Sequence, residues 1–337
     1  MTPATTRADR EVARVLVSVR HAIARHRLFR SGQHVLVGCS GGSDSVALTC
    51  ILARLRGELG LSLEVVGVDH GLRPEASAEL DAVASLADSL ALPFHRAKVV
   101  VTPDGRGLQA AAREARYHAL RAHAAHRGAA RIAVGHTLDD QAETVLSAVV
   151  RGKSLHALRG IAWRRGDGVV RPLLGVRRAT LRAWLDAGGH SYVDDPSNTN
   201  LRFERARIRA AWTVLEQLDP RVAEHLAQLA EESRTASAAL RRRGRAWRAR
   251  AELDGALRLS VLRAASTGTR REVLRVWAAE RGWVLGRAAS ELEAAIEAGR
   301  GEVWVGSEVT IRVEAGRIVG LRRAAKAPGG ENEDPSS

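Results

Sequence analysis

Over roughly the first two hundred positions of this chain, short apolar runs alternate with longer stretches in which apolar residues recur at helical spacing. Short apolar runs at about 34–38, 63–69, 94–100 and 131–135 predict buried β-strands. Longer stretches at 7–27, 44–58, 76–91 and 107–127 have the periodicity of helices, and further helices are predicted to begin near Asp139 and Arg177. This alternation predicts an α/β fold in which a parallel sheet carries helices on both faces.

The pattern changes after about residue 205, where apolar residues recur on one face of long helical stretches. Near the end, residues 303–305, 309–313 and 318–319 predict a small β-hairpin, and the tail from 324 is rich in Gly, Pro, Glu and Ser. We therefore predict an α/β domain over 1–204, a helical linker over 205–222 and a smaller, mostly helical C-terminal domain with the hairpin over 223–323. A disordered tail is predicted over 324–337.

The first predicted strand runs into six small or polar residues, which we call the phosphate loop: Ser40, Gly41, Gly42, Ser43, Asp44 and Ser45. Adjacent glycines allow a tight turn with exposed N–H groups, and the hydroxyls and the following helix N-terminus add donors for an anion. A carboxylate in such a site needs a cation, so Asp44 is predicted to face Mg²⁺ carrying the phosphates. The loop fits neither the Walker pattern nor G-x-G-x-x-G.

A second group of polar residues starts the helix near Asp139. Asp139 and Glu143 are four residues apart, and Asp140 and Glu143 are three apart, so each pair shares a helix face. A solvated helix start would account for these charges. His136 beside them, at the end of a predicted strand, instead favours a ligand site, because ligands of parallel sheets bind at the carboxyl ends of the strands.

Charge and cysteine content narrow the classes of protein. The formal net charge of +14 indicates an acidic partner, and tRNA would satisfy it through phosphate contacts. Cys39 and Cys50 are the two cysteines, so neither a disulfide framework nor a cysteine-rich zinc site is predicted. Neither end has an apolar signal region and no stretch approaches a membrane span, which predicts a cytoplasmic protein without membrane contact.

Several segments, in this order, are together similar to the tRNA(Ile)-lysidine synthetase family of the N-type ATP pyrophosphatase superfamily. The phosphate loop has the pattern S-G-G-x-D-S, and Arg113 and Arg116 lie in a segment of the pattern A-R-x-x-R-Y. Asn200 and Ala206 stand where that family usually has an acidic residue and Asn. The remaining similar segments are Val68-Asp69-His70-Gly71-Leu72-Arg73, residues 135–144, and Asp195-Pro196-Ser197-Asn198 followed by Arg205 and Arg209.

The resemblance implies that ATP, with Mg²⁺, activates the C2 oxygen of the wobble cytidine in a tRNA(Ile) with a CAU anticodon. Free L-lysine then displaces AMP, so the acidic cluster is expected to receive lysine. The arginines at motif positions are expected to contact phosphates. The predicted site residues are Asp44, Arg113, Arg116, Asp139, Asp140 and Glu143 for catalysis; the phosphate loop, Asp69, His70 and His136 for ATP; and Asp139, Glu143, Arg205 and Arg209 for the substrates.

Two alternative functions stay open at this stage. An ATP-dependent tRNA thiolation enzyme would share the loop, but the missing cysteine pair disfavours it. A non-catalytic tRNA-binding protein with a vestigial ATP loop is disfavoured because the motifs retain reactive side chains. The sequence does not decide which carboxylate deprotonates lysine or which arginines contact ATP rather than tRNA, and it leaves the oligomeric state open, a homodimer included.

Overall fold

The structure, a computed structural model, describes residues 7–71, 76–102, 107–193, 204–286, 288–306 and 309–322. The chain divides at Ser233 into two compact units, residues 1–233 and 234–337. Leu72, Arg73, the motif at 195–198, Asn200, the side chains of Arg205 and Ala206 and the tail predicted to be disordered lie outside the described part.

A five-stranded parallel sheet in the order β3-β2-β1-β4-β5 forms the centre of the first unit. This confirms the predicted fold class, and the four predicted strands lie within a few residues of their expected positions. The fifth strand was not predicted, because a two-residue strand has no periodicity to detect. The strands are β1 (His34–Gly38), β2 (Ser62–Asp69), β3 (Phe94–Lys98), β4 (Arg131–Val134) and β5 (Val169–Val170).

Alternate residues of the central strand pack on opposite faces of the sheet. Val35 and Val37 belong to a core that four of the helices share, whereas Leu36 packs with Tyr117 and Leu120 on the other face. Burial on both faces explains why these strands read as continuous apolar runs. The helices are α1 (Arg7–His26), α2 (Ser43–Leu59), α3 (Ala76–Ser89), α4 (Leu108–His126), α5 (Leu138–Val150), α6 (Leu155–Leu158) and α7 (Arg178–Ala187).

Helices also occupy the segment predicted as a linker. α8 (Glu204–Leu218) fills most of it, and α9 (Val222–Ala251) runs through the point where the two compact units divide. The structural division therefore falls about ten residues later than the boundary expected from the sequence. The assignment of separate roles to the two regions stays a prediction.

The second unit combines helices with an antiparallel sheet in the order β6-β7-β10-β9-β8. The predicted hairpin lies within this sheet, and the sheet is larger than expected because β6 and β7 are too short to show alternation. Trp277 is fully buried in the core and meets Trp283 edge to face. The elements are β6 (Glu252–Leu253), β7 (Ala256–Arg258), α10 (Leu259–Arg263), α11 (Thr267–Ala279), α12 (Ala288–Ala298), β8 (Gly301–Val305), β9 (Val309–Glu314) and β10 (Arg317–Arg322).

Within the described ranges of the chain, no helix has the length and apolar character needed to cross a membrane.

β4 ends directly against the phosphate loop. A Cβ atom added to Gly135, the residue after β4, would lie 2.8 Å from the carbonyl oxygen of Asp44 and 3.0 Å from the amide nitrogen of Ser45. These are backbone atoms, which cannot rotate aside as a flexible side chain can. Glycine at this position therefore allows the ends of β1 and β4 to meet, and it brings His136 to the edge of the sheet that carries the phosphate loop.

Replacing Gly135 should accordingly disturb the fold. We expect Gly135→Ala to lower the free energy of unfolding by about 1–3 kcal/mol, because the added methyl group overpacks the contact. Gly57→Ala on α2 is the control: no atom lies within 4 Å of its added Cβ, and alanine should stabilise the helix by about 0.5–1 kcal/mol. Urea denaturation measures both, and equal behaviour of the two variants would contradict the proposed constraint.

Candidate active site

The phosphate loop is held in shape by hydrogen bonds among its own residues and by one from Val193. The Oγ of Ser45 accepts a hydrogen bond from the Ser40 N–H at 3.1 Å and donates one to the Gly42 carbonyl at 2.9 Å. Gly41 has a φ of +84°, in the left-handed region, and its carbonyl accepts a hydrogen bond from the Val193 N–H at 2.9 Å. Gly42 caps α2 without a side chain, so the helix N-terminus is open to an anion.

Asp44 lies in the first turn of α2 with its two carboxylate oxygens in different surroundings. Oδ2 accepts a hydrogen bond from Arg178 Nε at 2.9 Å. Oδ1 is buried and has no hydrogen-bond partner within the described part of the chain. Burial raises the pKa of Asp44, although Arg178 opposes the shift.

A buried carboxylate oxygen that accepts no hydrogen bond from any described residue, beside the open N-terminus of α2, fits Mg²⁺. The described residues contain no group of three or more His, Cys, Asp or Glu side chains arranged to hold a metal ion. Mg²⁺ does not require such a group, because proteins usually bind it through one or two carboxylates together with substrate phosphates and water. Asp44 Oδ1 is therefore the atom of this loop best suited to the ion.

The acidic cluster begins at the N-terminus of α5. Thr137 caps the helix, and its N–H donates to Asp140 Oδ2 at 2.9 Å in a capping box. This places Asp139 and Asp140 in the first helical turn, where the helix dipole favours negative charge. The local sequence thus accounts for both the helix start and the position of the carboxylates.

Arg178 lies between the phosphate loop and the acidic cluster. Besides its bond to Asp44, its Nη2 is 3.3 Å from Asp140 Oδ1 and its Nη1 is 3.8 Å from Glu143 Oε1. These carboxylates raise the pKa of Arg178, although burial opposes them, so the guanidinium stays charged. One cation thereby joins residues of α2 and α5 that are about a hundred positions apart in sequence.

The two carboxylates predicted to share a helix face have different partners. Asp139 accepts hydrogen bonds from Arg177 Nε at 3.2 Å and from the backbone N–H of Arg178 at 2.6 Å, so it sits at the N-terminus of α7. Glu143 accepts a hydrogen bond from Arg209 Nε at 2.7 Å. Burial raises the pKa of Glu143, although the bond from Arg209 opposes the shift.

A group of cations lies on the other side of His136. Arg113 and Arg116 of α4 place their guanidinium carbons 5.1 and 5.7 Å from the centre of the Tyr117 ring. His136 lies between Arg113 and Arg171. Burial lowers the pKa of His136 to about 3, helped by the positive charges of these arginines and opposed by Asp140, so the imidazole is neutral at physiological pH.

The end of β2 adds Asp69 and His70. Asp69 Oδ1 accepts a hydrogen bond from the Gly71 N–H at 2.9 Å, which shapes the turn after the strand. His70 Nδ1 is buried without a hydrogen-bond partner among the described residues. Burial lowers the pKa of His70, and the charge of Arg116 lowers it further, so His70 belongs to the cationic side of the site.

Three arginines of this site were not predicted from the sequence: Arg171, Arg177 and Arg178. The chain has 52 Lys and Arg residues, so an arginine by itself carries little information. Two signals in the sequence could have indicated them: Arg171 directly follows an apolar pair, and Arg178 lies at a predicted helix start. For Arg205, the described structure neither supports nor contradicts the predicted role.

A sheet of this order with a phosphate-binding loop after its first strand defines the class of PP-loop ATP-using proteins. The model of the PP-loop domain matches residues 6–216. The tRNA(Ile)-lysidine synthase of Salinispora arenicola is 37% identical over 297 residues, which cover 84% of this chain and 89% of the relative. That of Salinispora tropica is 38% identical over 278 residues, covering 80% and 83%. The chain belongs to the tRNA(Ile)-lysidine synthase family, whose members are ligases.

A more distant likeness concerns the fold alone. The U34-tRNA thiolase NcsA from Methanococcus maripaludis superposes with a TM-score of 0.58 over 66% of this chain and 80% of its own, at 16% sequence identity.

Removing the Arg178 charge should destabilise the site in a pH-dependent way. We expect Arg178→Met to lower the free energy of unfolding by about 2–3 kcal/mol at pH 7, since Asp44 and Asp140 lose the positive charge of Arg178. Asp44 and Glu143 already have pKa values raised above their ordinary 3.8 and 4.5. As the pH falls towards the raised pKa values, protonation removes negative charge that Arg178 no longer balances in the variant. The difference in the free energy of unfolding between the variant and the wild type should therefore narrow.

Urea denaturation at several pH values tests this expectation. Arg54→Met, at an exposed position of α2, is the control and should stay within about 0.5 kcal/mol of wild type at every pH. A loss for Arg178→Met that is the same at pH 7 and at pH 5 would show that its charge does not stabilise the carboxylates.

Proposed function

We propose that this protein ligates L-lysine to C2 of the wobble cytidine of a tRNA(Ile) with a CAU anticodon, consuming ATP and releasing AMP and pyrophosphate. The observation that carries the proposal is the meeting of three groups at one edge of the sheet in a chain of this family. They are the phosphate loop, the arginines around a neutral His136, and the buried acidic cluster.

The first step would be adenylation of the tRNA. The C2 oxygen attacks the α-phosphorus of ATP, and the bond from that phosphorus to the bridging oxygen of pyrophosphate breaks. The N–H groups of the phosphate loop and of α2 would bind the leaving pyrophosphate, with Asp44 Oδ1 as the oxygen that holds Mg²⁺. When bound, this ion neutralises phosphate charge. Arg113 and Arg116 would contact the α-phosphate, where negative charge develops.

The second step would be attack of the lysine side-chain amine on C2, with AMP leaving together with the former C2 oxygen. An amine with a pKa of 10.4 must first lose a proton, which costs roughly 4–5 kcal/mol at pH 7. Asp139 is engaged at the N-terminus of α7 and Asp140 at that of α5. Glu143 supports neither helix N-terminus, and its raised pKa makes it a better proton acceptor. We therefore propose Glu143 as the base.

Sulfur transfer is the less favoured chemistry for this site. Cys39 and Cys50 are both buried free thiols. Burial raises the pKa of Cys39, and it raises that of Cys50 to about 12, so neither forms the reactive thiolate at neutral pH. We propose that tRNA contacts extend into the second unit, since a long polyanion needs more surface than the loop offers and the chain has an excess of 14 positive charges.

Incubation with unmodified tRNA(Ile), ATP, Mg²⁺ and labelled lysine tests the function. We expect label in the RNA and one AMP released for each lysine incorporated. Asp44→Asn should lower the rate of AMP formation by at least about 100-fold, because the loop loses the charge opposite its cation. Asp186→Asn, at an exposed position of α7, should leave the rate unchanged. Absence of label with the folded wild-type protein would refute the proposal.

Glu143 should act on lysine rather than on ATP. We expect Glu143→Gln to raise the lysine concentration for half-saturation by about 10-fold or more and to accumulate AMP attached to RNA, because adenylation continues while amine attack slows. Asp139→Asn should instead lower thermal stability, since its carboxylate supports α7. Gel analysis of adenylated tRNA over a lysine series measures the first effect, and wild-type lysine dependence of Glu143→Gln would exclude it as the base.

A further inference from the structure

His136 lies between two arginines that differ in burial and in their other contacts. Arg171 Nε donates to His136 Nδ1 at 3.2 Å, and Arg113 Nη2 lies 3.3 Å from Nε2. Arg171 is only 3% exposed, and its Nη1 donates to the carbonyl of Ala162 at 2.6 Å. Arg113 is half-buried on α4, and its guanidinium extends over the Tyr117 ring. Arg171 is thus the more buried and more firmly anchored of the two partners.

Hydrogen-bond chemistry does not allow both arginines to bond to His136. A guanidinium only donates, and a neutral imidazole has one nitrogen that accepts and one that carries a proton. Burial and the flanking positive charges keep this ring neutral. Because Arg171 is buried and anchored, Nδ1 is the accepting nitrogen. Nε2 therefore carries the proton, and its N–H points towards another donor, Arg113 Nη2.

We propose that Arg171 is a positioning residue that fixes His136 in the Nε2–H tautomer, so that His136 and Arg113 donate together to one oxygen of the α-phosphate. This inference rests on the proposed adenylation step. Two donors 3.3 Å apart cannot satisfy each other, but a single anionic oxygen can accept from both. The contact of Gly135 with the backbone of Asp44 puts this pair beside the phosphate loop.

In this tautomer His136 contributes to the reaction without transferring a proton. As the C2 oxygen bonds to the α-phosphorus and the bond to pyrophosphate breaks, charge develops on the oxygens of that phosphate. Donors already oriented towards it stabilise this charge without reorganising. The opposite tautomer would turn a lone pair of Nε2 towards the phosphate and repel it. Arg171 therefore acts on the reaction through the proton of His136, without touching the substrate.

The tautomer can be measured directly in the full-length protein. Nitrogen NMR of histidine labelled with ¹⁵N separates the Nδ1–H, Nε2–H and charged forms, and a His136→Gln spectrum identifies the signals of His136 among those of the 12 histidines. We expect the Nε2–H form in the wild type at pH 7 and a mixture of tautomers in Arg171→Met. Arg165→Met is the control, because it removes a positive charge from the same group of cations: its guanidinium carbon lies 5.4 Å from the centre of the Tyr117 ring. It should leave the tautomer unchanged.

The kinetic consequence is measured as formation of adenylated tRNA in a single turnover without lysine. Arg171→Met should slow this step about 10- to 100-fold, with little change in the ATP concentration for half-saturation. Arg171→Lys retains a donor and should recover part of the rate. Arg165→Met should behave as wild type.

The outcomes separate this inference from the proposed function. A wild-type protein that forms no adenylated tRNA would refute the function, and the inference with it as a statement about catalysis. An active wild type with the Nδ1–H tautomer, or an Arg171→Met variant with the wild-type tautomer and rate, would overturn the inference and leave the function standing. If Arg171→Met does not fold, the wild-type spectrum and the Arg171→Lys variant decide the question.

Discussion

Ionised carboxylates buried at the edge of a sheet require cations beside them, and Arg178 meets this requirement for Asp44, Asp140 and Glu143 at once. Arg178 is the first residue of α7, and Arg209, the second partner of Glu143, lies on α8. The need for counter-charge therefore fixes two helices that follow the sheet in sequence against α2 and α5, which lie between its strands. α7 and α8 carry no phosphate-binding pattern, yet the acidic part of the site cannot keep its charge without them.

The turn between β4 and α5 separates two electrical environments within a few residues. His136 faces arginines and stays neutral, whereas Asp139 and Asp140, a few positions later, begin a helix surrounded by carboxylates and their partners. The proposed reaction needs both environments close together, since it brings a polyphosphate and a cationic amino acid to the same cytosine ring of the tRNA. A single tight connection, made possible by Gly135, accomplishes this without a separate domain for each substrate.

The sequence predicted those parts of the molecule that repeat or cluster. The strands from β1 to β4 and their helices were predicted because buried runs and helical periods extend over several residues. β5, β6 and β7 were missed because two or three residues give no period. The carboxylates near Asp139 stood out as a cluster of like charges. Their partners Arg177 and Arg178 did not, because arginine is so common here that only the folded chain distinguishes a buried guanidinium from a solvated one.

The sequence was equally limited in assigning roles to individual side chains of the site. Spacing alone suggested that Asp139 and Glu143 act as a pair, and sequence offered no means of separating them. Their partners do separate them, since Asp139 meets a helix N-terminus and Glu143 meets an arginine of α8. Arg171 illustrates the opposite case: it has no motif of its own, and its importance arises from which nitrogen of a distant imidazole it contacts.

The buried positions of the two cysteines have a consequence unrelated to sulfur transfer. Cys39 directly precedes the phosphate loop, and Cys50 lies on the buried side of α2, the helix that begins within it. Reagents that modify thiols can reach these sulfur atoms only when this part of the core opens. The protein thus carries two intrinsic reporters of local opening at this edge of the sheet, and their alkylation rate reports how readily that opening occurs, without any added label.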